Sequence, residues 1–235
     1  MDLWLRWQVL STVQPSTKIL FLCSPGNPTA KSIPLATIEE VLNSPRYTGI
    51  VAVDEAYVDF SDVPSACQLV DKYPKLIVLQ TLSKAFGLAG IRLGMAVAQK
   101  ETIQYFNNVK APYNISKLTA AAAKGAFRNI DLLLTNIATL KEERAKVAAV
   151  LEDLPFVQKV HHSDTNFLLF KVSPHGLPVL AVPCRSLQPC VGSCFPSIHM
   201  HGLSLWLLAI GLVYVLSRFR RVHTATYYCI YAPPD

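Results

Sequence analysis

Three short runs of β-branched and aliphatic residues, each ended by polar or turn-forming residues, constrain the fold of this chain most strongly. They cover residues 18–23 (KILFLC), 49–53 (GIVAV) and 75–80 (KLIVLQ), and a fourth candidate strand covers residues 91–98 (IRLGMAVA). Short apolar runs separated by longer stretches are typical of strands buried on both faces of a parallel sheet. The sequence therefore predicts an α/β fold with a mainly parallel sheet.

The stretches outside these runs carry helical and further strand patterns. Residues 34–43 (PLATIEEVLN) have apolar side chains at helical spacing, a proline in the first turn and Pro45 just beyond the end, so they predict a helix. Residues 117–151 form a long stretch that is rich in alanine and helical in pattern. Residues 156–162 and 165–172 predict strands of a second layer or subdomain.

The distribution of charge divides the chain near residue 172. Of the first 172 residues 33 are charged, whereas only five of the last 63 are, and each part has a net charge of +3. The basic residues form no long run, so we expect no nucleic acid as a partner. The two cysteines of the first part, Cys23 and Cys67, form no disulfide framework, which favours a reducing, cytoplasmic location.

The apolar tail, residues 173–235, contains one candidate membrane segment and one candidate metal site. Residues 202–217 carry no charge over sixteen residues. A helix of this length measures about 24 Å, short of the roughly 30 Å hydrocarbon core, so we expect no membrane partner. The spacing of five possible metal ligands fits no common zinc pattern, so no metal is expected either. These ligands are Cys184, Cys190, Cys194, His199 and His201.

Polar side chains follow the ends of all three predicted parallel strands. Taken one at a time, they are ordinary turn and loop residues. Ligands, however, bind beyond the carboxyl ends of parallel strands, and three such groups in succession favour a shared site. They are residues 24–29 (SPGNPT) after the first strand, 54–57 (DEAY) after the second, and 81–84 (TLSK) with Arg92 after the third.

The chemistry of these groups is complementary to one cofactor. A partly desolvated lysine can form a Schiff base with an aldehyde. A carboxylate on a neighbouring strand can hold a protonated pyridine nitrogen, which makes the ring an electron sink. A phenol and an amide can bond a ring oxygen, while hydroxyls and an arginine can bind a phosphate. Together they would hold pyridoxal 5′-phosphate.

Residues 18–172 resemble the middle of the fold-type I pyridoxal-phosphate aminotransferases, most closely the histidinol-phosphate aminotransferase group. The resemblance is carried by FLCSPGNPT (21–29), VDEAYVDF (53–60) and TLSKAFGLAGIRLG (81–94), with KAPYNIS (110–116) as further support. The third stretch is the most specific. The resemblance implies amino transfer between histidinol phosphate and 2-oxoglutarate in histidine biosynthesis, by a homodimer.

The resemblance also implies a role for each of seven residues. Lys84 would bond the cofactor aldehyde and later carry a proton between substrate and cofactor carbons. Asp54 would pair with the pyridinium nitrogen, and Tyr57 and Asn27 would bond the ring hydroxyl. The phosphate would be held by Thr81, Ser83 and Arg92.

Two residues near these seven have simpler interpretations. Thr81 could cap a turn without touching a ligand, and Glu55 is expected to support the site and not to catalyse. One family position departs from the pattern, because Ala30 stands where the turn normally has glycine. If that position requires a positive φ, alanine strains the turn by roughly 1 kcal/mol.

The resemblance implies a domain organisation. Residues 18–115 would belong to the large cofactor-binding domain, and residues 116–172 to the connecting helices and part of the small domain. Residues 1–17 and 173–235 are atypical. We interpret the latter as sequence that is not native coding sequence, because the likeness stops there, lysine is absent after Lys171, and Cys, Pro and His are enriched.

Some family elements have no recognisable match. Family members begin well upstream, and residues 1–17 offer neither the ring that stacks on the cofactor nor the tyrosine donated across the dimer. Arg185 and Arg218 lack the context of the arginine that binds the substrate carboxylate. We therefore expect this chain to be weakly active or inactive. A non-catalytic cofactor-binding fragment, or an aminotransferase or decarboxylase of another specificity, remains an alternative.

Overall fold

The main sheet consists of three parallel strands and one antiparallel strand. In the computed structural model, which describes residues 9–172 and 214–215, the strands follow one another in chain order across the sheet. β1, β2 and β3 are parallel, and β4 runs antiparallel to β3. The α/β fold with a mainly parallel sheet is thus confirmed. The strands are β1 (Ile19–Cys23), β2 (Ile50–Asp54), β3 (Leu76–Thr81) and β4 (Gly94–Val97).

The predicted strands are all present, with shifted boundaries. β2 and β3 each lie one residue further along the chain than predicted, so Asp54 and Thr81 are the last residues of their strands. β4 is shorter than the predicted strand 91–98. The residues before it form a 3-10 helix, Ala89–Ile91, and Arg92 follows with a left-handed backbone (φ 54°). A strand cannot begin until that turn is complete.

One helix and the sheet form the main core. Helix α1 (Leu35–Leu42) confirms the helix predicted from the apolar spacing; Pro34 is its N-cap, and the N–H of Asn43 bonds the carbonyl oxygen of Glu39 at its end. Its apolar side chains pack on the sheet together with residues from the 3-10 helix Ala66–Leu69. The buried members from the strands and α1 are Leu22, Val51, Val53, Leu76 and Val78 with Ile38, Val41 and Leu42.

The opposite face of the edge strand β1 is much more open. Ile19 and Phe21 are 52% and 62% exposed. They alternate along the strand with Leu20 and Leu22, which face the core. Alternation of this kind follows from the two-residue period of a strand. β1 therefore separates a buried side from an exposed one.

The helical pattern predicted for residues 117–151 is confirmed, and it is divided between two helices. α2 (Lys100–Val109), which was not predicted, precedes α3 (Lys117–Phe127) and α4 (Ile130–Glu152). The break falls at Asn129, whose backbone leaves the helical region (φ −116°, ψ 43°). Its side-chain amide donates to the carbonyl oxygen of Gly125 at 2.8 Å, in the way short polar side chains compete with helical hydrogen bonds.

A second, smaller sheet follows α4, as expected for residues 156–172. It contains β5 (Val157–Val160), β6 (Leu169–Val172) and β7 (Tyr214–Val215), with β5 and β6 antiparallel. β6 begins four residues later than predicted, because residues 165–168 belong to the turn that precedes it.

The predicted features of the tail lie outside the described residues. This applies to the five Cys and His residues between 184 and 201 and to all of segment 202–217 except β7. Within residues 9–172 and 214–215, no helix is both long enough and apolar enough to span a bilayer. The same residues contain no group of three or more His, Cys, Asp or Glu suited to a metal ion.

Candidate functional site

The carboxyl ends of β1, β2 and β3 lie side by side and bring the predicted site residues to one edge of the sheet. The register pairs Cys23 of β1 with Asp54 of β2, and Asp54 with Leu79 of β3. Neighbouring strands are about 4.8 Å apart, so the turns that leave these ends start close to one another. Six of the seven predicted residues lie in or within four residues of these ends, and Arg92 lies at the far end of the connection between β3 and β4.

The turn after β1 is closed by its own hydrogen bonds. The hydroxyl of Ser24 accepts the N–H of Ile33 at 2.8 Å, and the N–H of Gly26 donates to the carbonyl oxygen of Lys31 at 2.9 Å. A side chain on Gly26 would not fit, because its Cβ would come within 2.7 Å of the Thr29 hydroxyl. Asn27 lies at the exposed tip of this turn.

Ala30 has the positive φ that was considered for this position from the sequence. Its φ is 58°, in the left-handed region that favours glycine, and the residue is fully buried. Its N–H donates to the carbonyl oxygen of Gly26 at 2.8 Å, which holds it there. The turn therefore contains strain on the order of 1 kcal/mol that a glycine would relieve.

Three of the predicted residues, one from each strand end, meet around a phenol ring. The amide Nδ2 of Asn27 donates to the hydroxyl of Tyr57 at 3.3 Å. The Nζ of Lys84 lies 5.3 Å from the centroid of the Tyr57 ring, within cation–π range. Tyr57 is half-buried, but Lys84 is exposed, contrary to the partly desolvated lysine that was expected. It lies on the open turn after β3, which leaves its amine in water.

Asp54 lies between the other two strand ends. Its Oδ1 accepts the N–H of Ala56 at 3.1 Å, which fixes the carboxylate at the end of β2. The pKa of the Cys23 thiol, on the neighbouring strand β1, is raised by partial burial and also by the negative charge of Asp54.

Glu55 is buried and fully bonded, which is the supporting role expected of it. Only 3% of the surface of this residue is exposed to solvent. The carboxylate accepts the hydroxyl of Ser65 and the N–H of Ala66, both at 2.6 Å, and the side-chain amide of Gln80 at 2.9 Å. Because Gln80 precedes Thr81, this carboxylate ties the end of β2 to the end of β3.

The predicted phosphate residues form a second group around the turn after β3. The hydroxyl of Thr81 accepts the N–H of Ser83 at 3.1 Å and lies 3.0 Å from the Ser83 hydroxyl and 3.1 Å from the carbonyl oxygen of Leu93. Thr81 is therefore a turn-capping residue, the alternative raised from the sequence. The Nη1 of Arg92 donates to the carbonyl oxygen of Ala89 at 3.1 Å. Phosphate binding by these residues stays a prediction.

Two residues at this edge were missed by the sequence interpretation. Phe167 packs edge-on against Tyr57, with ring centroids 5.3 Å apart and an interplanar angle of 80°. Asp164 accepts the N–H of Ser32 at 2.8 Å. Both come from the segment between β5 and β6, which was assigned largely to a strand. The run of polar residues SDTN before the apolar FLLF was the available sign of a turn.

A cleft of about 780 Å³ beside α1 holds none of the seven predicted residues. It is lined by residues of α1 and the following turn, with Leu10 and Lys72 opposite. Its main charges already pair with each other, since the Nζ of Lys72 lies 2.7 Å from Glu39 and the Tyr73 hydroxyl donates to the same carboxylate. Hydrogen bonding to Lys72 and Tyr73 lowers the pKa of Glu39. The cleft is therefore not the predicted site.

The residues gathered at the strand ends match the chemistry of pyridoxal 5′-phosphate group by group. Lys84 would offer an amine to the aldehyde, and Asp54 would offer a carboxylate to the ring nitrogen. Tyr57 and Asn27 form one polar pair suited to the ring oxygen. A hydroxyl and a guanidinium, from Ser83 and Arg92, are available for the phosphate. The donor set fits the group.

Comparison with known proteins gives consistent matches. Residues 8–181 match the family model described as aminotransferase class I and II, which extends about ten residues beyond each end of the predicted resemblance. A histidinol-phosphate aminotransferase from Flavobacterium johnsoniae is 42% identical over 165 residues, covering 70% of this chain and 47% of that protein. Histidinol-phosphate aminotransferase 1 from Legionella pneumophila subsp. pneumophila is 41% identical over 190 residues, covering 77% and 52%.

A solved structure matches at the level of the fold and of the sequence. Histidinol-phosphate aminotransferase from Sinorhizobium meliloti, in complex with pyridoxal-5′-phosphate, superposes with a TM-score of 0.61 and 25% identity. The match covers 70% of this chain and 45% of that one. The chain thus spans about half the length of the curated relatives it matches.

Proposed function

The chain belongs to the class I and II aminotransferases, a family that depends on pyridoxal 5′-phosphate, and we propose that it carries the cofactor-binding part of a histidinol-phosphate aminotransferase. The reaction proposed is amino transfer between histidinol phosphate and 2-oxoglutarate, in cytoplasmic histidine biosynthesis and in a homodimer. The observation that carries this proposal is the meeting of Asn27, Tyr57 and Lys84 at adjacent strand ends, supported by relatives of that name at about 40% identity.

The chain's own residues divide the chemistry between binding and proton movement. Bound pyridoxal phosphate supplies an aldehyde for amines and a ring that accepts an electron pair. Asp54 would accept a hydrogen bond from the ring nitrogen and, as an anion, favour the protonated ring. Lys84, as a neutral amine, would take the proton from the substrate carbon that bears the amino group and later return a proton.

Tyr57 and Asn27 would orient the ring at its oxygen. The two side chains are already bonded to each other at 3.3 Å, so a ring oxygen beside them meets a hydroxyl and an amide in one place. At the other end, Ser83 and Arg92 would bind the phosphate, the guanidinium with two donors. Thr81 would act through the turn by holding the backbone N–H of Ser83.

Lys84 gives the most direct test of cofactor binding. The 235-residue chain, purified with pyridoxal phosphate, should show a visible absorbance band, and borohydride reduction should fix the cofactor to the peptide that contains Lys84. Lys84→Ala should lose both signals. Lys110→Ala is the matched control, because Lys110 is another exposed lysine and lies at the end of α2, outside the site. Absence of a Lys84-dependent band would refute the proposal.

Transfer activity is the second measurement. Glutamate formed from histidinol phosphate and 2-oxoglutarate should be much lower for this chain than for a full-length relative. The seven proposed residues are all assigned to the cofactor, Thr81 through the turn that holds Ser83, and none is assigned to the substrate carboxylate. Turnover comparable to that relative would contradict the expected weak activity. It would leave cofactor binding through Lys84 intact.

A cofactor-binding part without transaminase specificity is the second candidate. It is favoured by one observation: the groups assembled from Asn27 to Arg92 all match features of the cofactor. An aminotransferase or decarboxylase of another specificity would need the same groups. Release of carbon dioxide from an amino-acid phosphate, or transfer from aromatic amino acids in preference to histidinol phosphate, would favour such an enzyme.

A further inference from the structure

The turn between β5 and β6 reaches the edge of the main sheet and contacts two of its loops at once. We define residues 164–167 (DTNF) as the brace. At one end, the N–H of Asp164 donates to the carbonyl oxygen of Ala30 at 2.6 Å, and its carboxylate accepts the N–H of Ser32 at 2.8 Å. At the other end, Phe167 packs on the ring of Tyr57.

We propose that the brace is a positioning device, in which Asp164 fixes the turn that carries Asn27 while Phe167 fixes the ring of Tyr57, so that the two polar groups stay together for the cofactor's ring oxygen. The proposal rests on the proposed function. It assigns work to residues outside the three strand ends that the family resemblance singled out. Neither residue touches the cofactor in this scheme; each acts through a residue that does.

The ring contact opposes a tilt of the Tyr57 ring, which would separate the Tyr57 hydroxyl from Asn27. Phe167 is 6% exposed, so its ring is enclosed by neighbouring residues and has little room to move. It meets Tyr57 in the edge-to-face arrangement that aromatic pairs prefer. Tilting the Tyr57 ring would break that contact and move the hydroxyl away from the Asn27 amide, 3.3 Å away.

The brace itself is held firmly. The Ser163 hydroxyl donates to the carbonyl oxygen of Phe167 at 2.6 Å, and the Thr165 hydroxyl lies 3.1 Å from the same oxygen. Thr165 is 1% exposed. From α4, the guanidinium of Arg144 donates to the carbonyl oxygen of Thr165. A segment bonded on both sides can transmit a fixed position to what it contacts.

The charge state of the brace suits this role at neutral pH. Burial of Asp164 acts to raise its pKa, but hydrogen bonds from Ser32 and His162 outweigh it, and the pKa lies below its ordinary value. The His162 ring lies 2.9 Å from the other carboxylate oxygen. Asp164 is therefore an anion that accepts from Ser32 without competition from its own proton.

A double-mutant cycle on cofactor affinity tests whether Phe167 acts through the Tyr57 hydroxyl. Phe167→Leu should weaken pyridoxal-phosphate binding about ten-fold in the otherwise unchanged chain, the order of one lost hydrogen bond. In the Tyr57→Phe background, where the hydroxyl is already absent, the same change should weaken binding less than two-fold. An equal effect in both backgrounds would overturn the proposal, because a general loss of packing does not depend on the hydroxyl.

The control and a second variant keep the test sharp. Phe170→Leu removes a buried phenylalanine of the adjoining strand β6, which forms no ring contact with Tyr57 in the described residues, and its effect should be equal in both backgrounds. If Phe167→Leu does not fold, Phe167→Met replaces it. Asp164→Asn should also weaken binding, and this loss should shrink when Asn27 is replaced by alanine.

A measurement without cofactor separates this proposal from the proposed function. In protein labelled with ¹³C at the tyrosine ring carbon that bears the hydroxyl, the resonance that disappears in Tyr57→Phe belongs to Tyr57. That resonance should shift or broaden in Phe167→Leu and stay in place in Phe170→Leu. An unchanged Tyr57 resonance overturns the brace whether or not the cofactor binds. If the unchanged chain binds no pyridoxal phosphate, the proposed function fails, and the resonance alone decides on the brace.

Discussion

The same three strands form the core face of the main sheet and its carboxyl edge, but the two regions differ in polarity and in exposure to solvent. The core face is apolar and closed, with Val51, Val53, Leu76 and Val78 at 0% exposure. The edge is polar, and in the described residues its buried polar side chains, like all others, have hydrogen-bond partners. The sheet's stability therefore comes mainly from the core face and its proposed chemistry from the carboxyl edge, and we expect that each region can be changed separately.

Truncation in the core should have the largest effect. Leu76→Ala removes a fully buried side chain of β3 and should lower the free energy of unfolding by about 3 kcal/mol, measured by urea denaturation. Phe21→Ala is the matched control on the exposed face of β1, and it should cost less than about 1 kcal/mol. Equal losses for the two variants would mean that the second face of β1 is covered as well.

Among the edge residues, replacement of Glu55 should have the effect on the free energy of unfolding that comes closest to that of a core truncation. Glu55→Ala leaves three donors without their acceptor, on Ser65, Ala66 and Gln80, and should cost about 2 kcal/mol. Glu55→Gln keeps one acceptor oxygen and should cost less. A loss below about 0.5 kcal/mol for the alanine variant, in the same denaturation experiment, would show that water replaces the carboxylate.

Asp164 should make an edge contribution that depends on pH. Its pKa in the folded chain lies below the unfolded value, so its stabilisation is fully present above the unfolded pKa and is lost as the pH falls through the folded pKa. Asp164→Asn should therefore be less stable than the unchanged chain at pH 7, by up to about 1 kcal/mol since its His162 partner is exposed, and the difference should disappear as the pH falls through the folded pKa. A difference that grows on acidification would contradict this sign.

Replacement of Ala30 should change the free energy of unfolding least, and it should raise this free energy where the other replacements lower it. Ala30→Gly relieves the left-handed strain but adds chain entropy to the unfolded state, so the free energy of unfolding should rise by about 0.5 kcal/mol. Ala36→Gly, at an exposed position inside α1, has no strain to relieve and should lower it by about 1 kcal/mol. Two losses of similar size would show that the turn gains nothing from glycine.

The sequence predicted the sheet well because its information is local. The apolar runs that became β1, β2 and β3 are bounded by turn residues, and each boundary was right to within one residue. The three groups of polar residues at their ends could be found for the same reason. Parallel strands in succession bring such ends together, so Asn27, Tyr57 and Lys84 could be expected at one edge.

What the sequence did not reveal depends on contacts between distant residues. The break at Asn129 follows from one side-chain hydrogen bond inside an otherwise helical pattern. The exposure of Lys84 depends on what packs over the turn after β3. Phe167 reads as a core phenylalanine until the fold places it on Tyr57, 110 positions earlier in the chain. No periodicity encodes such a pairing.

The order of the strands in the sheet has a genetic consequence. Because β1, β2 and β3 are neighbours in space in the same order as in the chain, the seven proposed residues fall within 66 consecutive codons, from Asn27 to Arg92. A recombination event that moves this one piece of DNA moves all seven residues together, while the brace, residues 164–167, is encoded outside it. Folds that assemble a site from scattered strands lack that portability, and a gene that is split or fused elsewhere leaves this set intact.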